Sequence, residues 1–195
     1  GSANALKAHA QGLCSMAGFH LPVGHLGKLI LQRYQSYLDN DAYCFFLIDQ
    51  REQGLISSSL HPVASLEQAV DEKLRFVNRQ RNSGTRDLLD ILLDRAALKP
   101  GQLMGYTHEE HTHLAVAGLI AVGDADVGLG VSTAAERLQL HFTPLVKEFY
   151  FLLLSERQLA CDSIQKLLIL LAPQQNSERL NDKQLSERVC EGDID

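Results

Sequence analysis

Hydrophobic and polar positions follow two patterns along most of the chain. Continuous apolar runs such as YCFFLID (43–49) are typical of strands covered on both faces. Amphipathic segments such as HLGKLILQRYQSYL (25–38) predict helices. The other predicted strands are 13–21, 54–59, 74–78, 103–106, 125–131 and 141–154. The other predicted helices are 5–10, 65–72, 86–97, 108–123, 132–140 and 161–172. Short strands that alternate with helices predict an α/β fold with mostly parallel sheets.

Two extended crossings, near 50–59 and 146–154, bracket a central block of the chain. This arrangement predicts two lobes joined by two strands, with the C-terminal helix returning to the first lobe. Ligands of such folds bind at the carboxyl ends of strands, so we expect a site in the interlobe cleft. The predicted parts are a first lobe of 3–57 plus 153–172, a second lobe of 58–152, and a polar helix or tail at 173–195.

The segment FVNRQRNSGTRDLLD (76–90) combines a strand, a polar turn and the start of an apolar helix. Residues 83–85 lie where the helix begins, and the free N–H groups and the helix dipole at such a position favour an anion. Neighbouring arginines would add donors. The alternative is a Ser/Thr N-cap with surface arginines. The candidate ligand contacts in this segment are Arg79, Arg81, Ser83, Gly84, Thr85 and Arg86.

Composition narrows the classes of function. The 195 residues are 45% hydrophobic and 22% charged, as in an ordinary soluble globular protein. The net charge of −6 argues against general nucleic-acid binding, which needs a basic face. The longest apolar stretches, FYFLLL and LLILLA, are too short for a membrane span, and we expect LLILLA to be core. Four scattered cysteines without a CxxC motif, and no signal peptide after a tag-like Gly1-Ser2, predict a cytoplasmic protein.

Six segments, taken in order, together resemble one known family. They are AGFHLP (17–22), REQGLI (51–56), RFVNRQRNSGTRDLLD (75–90), GYTHEEHTHLAVA (105–117), GDADVGLGVSTAAERLQLHFTPL (123–145) and EFY (148–150). The set is similar to the PBP-like domain of the periplasmic-binding-protein superfamily, type 2, which often follows a helix-turn-helix domain in bacterial and archaeal regulators. The family is related to molybdate- and tungstate-binding domains. The resemblance implies a sensor that closes on a small ligand, with DNA contacted only through a separate helix-turn-helix domain not in this chain.

The chain departs from the family at its beginning. The family's domain opens with an extra strand and a Ser/Gly turn, whereas this chain begins inside the first helix, so the first strand of the first lobe is missing. We expect 13–21 and 43–49 to pair in parallel, because a helix joins them. The missing strand would leave an exposed sheet edge. We therefore predict a homodimer through the first lobe, or docking of the polar tail at 173–195 on that edge.

Further candidates lie outside the 76–90 segment. His20 follows a strand and could contact ligand, although a buried, hydrogen-bonded histidine is the alternative. Asp126 in GDADVGLG (123–130) is a second candidate ligand or interlobe contact, against a structural role at a strand end. The expected hinge residues, with interlobe packing and salt bridging as their alternative role, are Arg51, Gln53, Glu148 and Tyr150.

Neither metal binding nor catalysis is indicated. In HEEHTH (108–113) the histidines do not follow the HExxH order and do not converge on one helix face, so we expect a solvated helix N-terminus. No GxSxG motif or nucleophile-like cysteine occurs. We therefore expect a ligand-sensing domain of a cytoplasmic transcriptional regulator, with neither enzymatic activity nor a cofactor. The alternatives are an enzyme on the same fold and a non-binding dimerisation module. Oxyanion, pterin-like and small organic acid ligands all remain open.

Overall fold

The computed structural model describes residues 1–38, 43–171 and 179–190. The chain divides into two compact units. The second unit is Arg51–Lys147, and the first unit comprises Gly1–Gln50 together with the residues from Glu148 onward. The chain therefore changes unit a few residues earlier, in each crossing, than the boundaries predicted near 57 and 153.

The elements of the two units are as follows in chain order. The strands are β1 (Ala17–Pro22), β2 (Tyr43–Ser57), β3 (Phe76–Arg79), β4 (Glu109–Glu110), β5 (Val127–Val131), β6 (His141–Ser155) and β7 (Arg179–Leu180). The α-helices are α1 (Ser2–Ala10), α2 (His25–Leu38), α3 (Leu66–Asp71), α4 (Gly84–Arg95), α5 (His113–Val122), α6 (Ser132–Arg137), α7 (Glu156–Leu159), α8 (Asp162–Leu171) and α9 (Asp182–Cys190). The predicted strands 43–49 and 54–59 form one strand, β2, because the polar residues between them stay extended.

The sheet of the second unit has the strand order β6-β2-β5-β3-β4. β3 is parallel to both β4 and β5, whereas β5 is antiparallel to β2. The sheet is therefore mixed, and the predicted parallel pairing holds at β3. A core cluster that includes Ile56, Val77 and Val116 joins the sheet to α5.

Two predictions for residues 103–123 are wrong. Residues 103–106 form turns after a 3-10 helix at Pro100–Gln102, and the strand comes later, at β4. The predicted helix 108–123 begins only at His113, because Thr112 provides the N-cap and accepts a hydrogen bond from the N–H of Ala115. The predicted C-terminus is confirmed, since Gly123 ends α5 with a left-handed φ of 82°.

The sheet of the first unit has the order β1-β6-β2-β7. β1 pairs antiparallel with β6, in a register that runs from Ala17 opposite Leu153 to Pro22 opposite Glu148. The predicted parallel pairing of 13–21 with 43–49 is therefore wrong, because β6 takes the position between β1 and β2. The fully buried rings of Phe19, Phe45 and Phe151, one from each of these strands, form the centre of the core.

The described part of the polar C-terminal segment packs on the first unit. β7 pairs with β2, with Leu180 opposite Phe45, and α9 packs against α2. The carbonyl of Val189 in α9 accepts a hydrogen bond of 2.6 Å from the N–H of Gly24. Residues 179–190 thus dock on this sheet, while coverage of an edge left by a missing first strand stays a prediction. The remaining residues of the predicted tail lie outside the described ranges.

Helix α8 corrects the prediction that the LLILLA stripe is core. Ile169, Leu170 and Leu171 are 69%, 72% and 38% exposed, and Ile164 is the buried residue of this helix. Apolar residues at consecutive helical positions cannot all share one face. Part of the stripe is therefore left on the surface.

Candidate functional site

The carboxyl ends of β3, β4 and β5 lie at one edge of the second-unit sheet, because β3 is parallel to both of its neighbours. Two helices begin at this edge, since α4 follows β3 and α5 follows β4. Ser83 caps α4 and Thr112 caps α5 through their side-chain oxygens. The edge therefore gathers the first-turn amides and the positive dipole ends of two helices.

The turn at 80–83 connects β3 to α4. Asn82 adopts a left-handed φ of 64°, which asparagine tolerates better than most residues. The Ser83 hydroxyl accepts a hydrogen bond from the N–H of Arg86 at 3.2 Å, so it has the N-cap role. Ser83 and Thr85 are each 3% exposed, and Gly84 is half-buried. Among the described residues, none accepts a hydrogen bond from the N–H of Gly84 or Thr85.

Arg79 is the last residue of β3 and is buried. Its guanidinium donates to two neutral oxygens, the Gln80 side-chain oxygen at 3.1 Å and the His111 carbonyl at 3.0 Å. Burial lowers the pKa of Arg79, and the nearby positive charge of Arg51 lowers this pKa further. No carboxylate of the described residues forms an ion pair with Arg79.

Two residues of β2 that were predicted at the first hinge belong to the second unit. Arg51 is half-buried and close enough to Arg79 for the two charges to interact. Gln53 is fully buried and lies opposite Val131, the last residue of β5. Neither amide atom of Gln53 has a hydrogen-bond partner within the described parts of the chain.

Arg81 and Arg86 are bound by carboxylates of their own unit. Arg81 is exposed and lies 3.5 Å from a carboxylate oxygen of Glu109. Arg86 is buried, with ion pairs to Glu109 at 3.1 Å and to Asp90 at 3.4 Å, and its guanidinium stacks 4.0 Å from the centre of the Tyr106 ring. Burial lowers the pKa of Arg86, but Tyr106 and the two carboxylates raise this pKa by more. Both guanidinium groups therefore hold α4 and β4 in position, and they have few donors left for a ligand.

Asp126 lies at the other end of the strands. It precedes β5, and its carboxylate accepts hydrogen bonds from the backbone and guanidinium of Arg75, which precedes β3. Hydrogen bonds from Arg75 hold the pKa of Asp126 below its ordinary value. The structure therefore does not bring Asp126 to the edge where α4 begins.

Three predicted residues lie in the first unit. The rings of His20 and Tyr150 stack with their centres 4.5 Å apart, at opposed positions of β1 and β6. The backbone N–H of His20 donates to the Ser2 hydroxyl at 3.2 Å. Glu148 is buried opposite Pro22. A Cβ on Gly18 would collide with the Tyr150 hydroxyl, so this glycine gives the ring its space.

Asn78 is a positioning residue that sequence reasoning missed. Its side-chain oxygen accepts a hydrogen bond from the Arg79 N–H at 2.8 Å, and its side-chain nitrogen donates to the Tyr106 carbonyl at 3.1 Å. The available signal was a buried asparagine inside an apolar strand, where an amide is costly unless it is bonded.

Clusters of three or more histidine, cysteine or acidic side chains that could hold a metal do not occur among the residues of the described ranges. The same ranges contain no helix that is both long and apolar enough to cross a membrane.

The comparisons with known proteins agree with this architecture. Residues 1–172 match the model of the PBP-like family, a PBP superfamily domain. The chain therefore belongs to this family, as its sequence segments predicted. The uncharacterized protein YvgK of Bacillus subtilis (strain 168) is 29% identical over 152 residues, which are 77% of this chain and 49% of that protein. The chain thus spans about half the length of this curated relative.

Several solved structures share the fold at low identity. An ABC-type phosphate transport receptor from Vibrio cholerae has a TM-score of 0.55 at 12% identity, over 88% of this chain and 78% of that one. A tungstate ABC transporter structure from Geobacter sulfurreducens has a TM-score of 0.54 at 13% identity, over 89% and 78%. An H2O2-bound OxyR mutant from Corynebacterium glutamicum has a TM-score of 0.57 at 12% identity, over 97% and 55%. The predicted α/β, periplasmic-binding-protein-like fold is confirmed.

Proposed function

We propose that the second unit binds a small anion at the carboxyl ends of β3 and β5. The observation that carries this proposal is the state of Arg79, a buried cation that hydrogen-bonds only neutral oxygens while a second arginine adds positive charge nearby. A buried charge normally requires an opposite charge, because removal from water is costly. A bound anion would supply that charge.

The start of α4 supports the same site. The N–H groups of Gly84 and Thr85 donate to no acceptor among the residues the structure describes, and they lie at the positive end of the helix dipole. Backbone amides at a helix N-terminus can bind an oxyanion without any side chain. The proposed contacts are therefore the Arg79 guanidinium and these two amides. Ser83 organises the turn, and Arg51 contributes charge.

We further propose that anion binding serves sensing, in a cytoplasmic transcriptional regulator. Solved structures with this fold include a phosphate transport receptor, a tungstate transporter and OxyR. The net charge of −6 argues against DNA binding by this chain itself, so DNA would be contacted by a separate helix-turn-helix domain. The expectations that the ligand binds in the interlobe cleft with His20 as a contact, and that Glu148 and Tyr150 act at the hinge, stay predictions.

Calorimetry with phosphate, sulfate, tungstate and molybdate tests the site. Arg79→Gln should weaken binding of the preferred anion by about 10- to 100-fold, because a charge-assisted hydrogen bond contributes roughly 1.5–3 kcal/mol. Two matched controls should stay within about twofold, since neither residue lies at the proposed site and exposed charges interact weakly. Arg75→Gln removes an arginine from the opposite end of β3, and Lys28→Ala removes an exposed charge from α2.

Two results would contradict the proposal. If the unmodified chain binds none of the four anions at millimolar concentration, the alternative of a non-binding dimerisation module gains support. If Arg79→Gln and Arg75→Gln weaken binding equally, the anion acts through general charge and the assigned site is wrong.

A further inference from the structure

Helix α5 has an outer face without a polar side chain. From Leu114 to Val122 every residue of this helix is apolar. Val116 and Ile120 belong to the buried core cluster, whereas Leu114 and Val122, on the opposite side, are 44% and 72% exposed. A surface helix of a globular protein normally carries polar residues on the side that faces water, and a helix that is apolar on all sides is normally buried. The outer face of α5 therefore has the character of a buried surface.

Gly118 lies at the centre of this outer face, because Leu114, Gly118 and Val122 follow one another at intervals of four residues. A Cβ added at Gly118 would meet no other atom within 4 Å. Alanine would therefore fit the chain itself, and in the interior of a helix alanine is more stable than glycine. The fold of a single chain does not explain this glycine, whereas the close approach of a second backbone does.

The residues around Gly118 follow a symmetric pattern. Leu114 and Val122 lie four positions before and after it, and Ala115 and Ala121 lie three positions before and after it. A twofold axis through Gly118, perpendicular to the helix, would place the large side chains of one copy against those of another, and alanine against alanine. A twofold interface requires such self-complementarity, because the same patch serves both copies. The pattern therefore indicates a second copy of this chain as the partner.

The charges at the two ends of α5 are complementary in the same arrangement. Asp124 is exposed just beyond the C-terminus of α5, where the dipole of its own helix disfavours a carboxylate. The twofold axis at Gly118 brings Asp124 opposite Thr112, the N-cap of α5 in the second copy. The positive end of that helix, with the exposed His111 beside it, would stabilise the carboxylate in addition to the charge of Arg75. Antiparallel packing thus pairs unlike charges on both sides of the apolar centre.

We infer that the outer face of α5 is an interface between two copies of this chain, packed antiparallel about a twofold axis at Gly118. The inference goes beyond the proposed anion site and does not depend on it. It places the second copy on the second unit, whereas the missing first strand predicts a homodimer through the first lobe. Two helical turns bury far less than the roughly 800 Å² per partner of a standard interface, so we expect a weak dimer with a Kd of about 10–100 μM.

Sedimentation equilibrium of the full chain from about 5 to 500 μM, a range that brackets this Kd, tests the inference. Val122→Glu places a charge in the apolar centre and should weaken dimerisation by at least about tenfold. Ile169→Glu is the matched control, because Ile169 is 69% exposed on α8 of the first unit, and it should leave the Kd unchanged. Gly118→Ala should weaken dimerisation, since its methyl group separates the helices, and the monomer should unfold at the same or a higher temperature.

Disulfide cross-linking locates the axis. Gly118→Cys should cross-link to itself under oxidation, because a disulfide needs Cα atoms about 4.4–6.8 Å apart. Leu114→Cys alone should not cross-link, since its two copies would lie about 12 Å apart along the helices, but it should cross-link in a mixture with Val122→Cys. The unmodified chain, which has four cysteines of its own, provides the background.

Two results would overturn the inference. One is an unmodified chain that stays monomeric over the whole concentration range. The other is a dimer that Ile169→Glu dissociates and Val122→Glu does not, because the second copy would then lie on the first unit. Both results leave the anion titrations of the proposed function unaffected.

Discussion

Arg86 provides a stability test of the second unit, because its charge is buried within a network. Its side chain is 6% exposed, with Nη1 3.1 Å from a carboxylate oxygen of Glu109 and Nε 3.4 Å from one of Asp90. The Tyr106 ring covers the guanidinium at 4.0 Å. These contacts connect α4 to β4 and to the turns that precede β4. Arg86→Met removes the charge and keeps most of the apolar stem.

The expected cost follows from the exposure of the partners. Removal of one member of a fully buried ion pair costs about 3–5 kcal/mol, because the other charge stays buried without compensation. Here Glu109 and Asp90 are 27% and 39% exposed, so water can solvate both carboxylates after the substitution. The lost stacking on Tyr106 adds about 0.5–1 kcal/mol. We therefore expect Arg86→Met to lower the free energy of unfolding by about 2–3 kcal/mol.

Urea unfolding, followed by circular dichroism and by tyrosine fluorescence, measures this loss. The two probes must give coincident transitions, because a chain with two units need not unfold in one step. Arg75→Met is the matched control. Its ion pair with Asp126 at 2.6 Å joins side chains that are 50% and 33% exposed, so its loss should cost less than about 1 kcal/mol. A loss for Arg86→Met no greater than that for Arg75→Met would refute the reasoning.

Two further predictions concern acid stability and assembly. Arg75 holds the pKa of Asp126 low, so the stability from this pair is fully present above the ordinary carboxyl pKa and is lost as the pH falls through it toward the lower folded value. Arg75→Met should therefore flatten the acid limb of the unfolding free energy below about pH 4, and an unchanged limb would contradict this account. The homodimer predicted from the missing first strand should give twice the chain mass in light scattering. A monomer at micromolar concentration would instead favour coverage of the sheet by the chain's own segment 179–190.

The sequence predicted elements where local signals decide them. The bounds of α2 agree with the predicted 25–38, and Gly123 ends α5 as expected, because periodicity and a left-handed glycine are local properties. The position of β6 between β1 and β2 is not local. It depends on how a strand more than a hundred residues away packs against both, and a helix between two strands does not specify which strand lies between them.

For the candidate site too, the sequence predicted the local features but not the contacts between distant residues. The Ser83 cap and the free amides after it follow from the sequence NSGT at a helix start. The different environments of Arg79 and Arg86 do not, because the carboxylate of Glu109 reaches Arg86 from β4, more than twenty residues later. The unpartnered Gln53 amide likewise depends on the register of β2 with β5.

The distribution of carboxylates around the arginines of β3 and α4 is the strongest argument for an exchangeable anion. Arg75, Arg81 and Arg86 each have a carboxylate partner within the second unit. Arg79 has none among the described residues, although Glu110 lies opposite it in the ladder of β3 with β4. A permanent carboxylate partner would compete with any incoming anion for the guanidinium. A purely structural arginine gains nothing from the absence of such a partner, whereas a site that must bind and release an anion requires it.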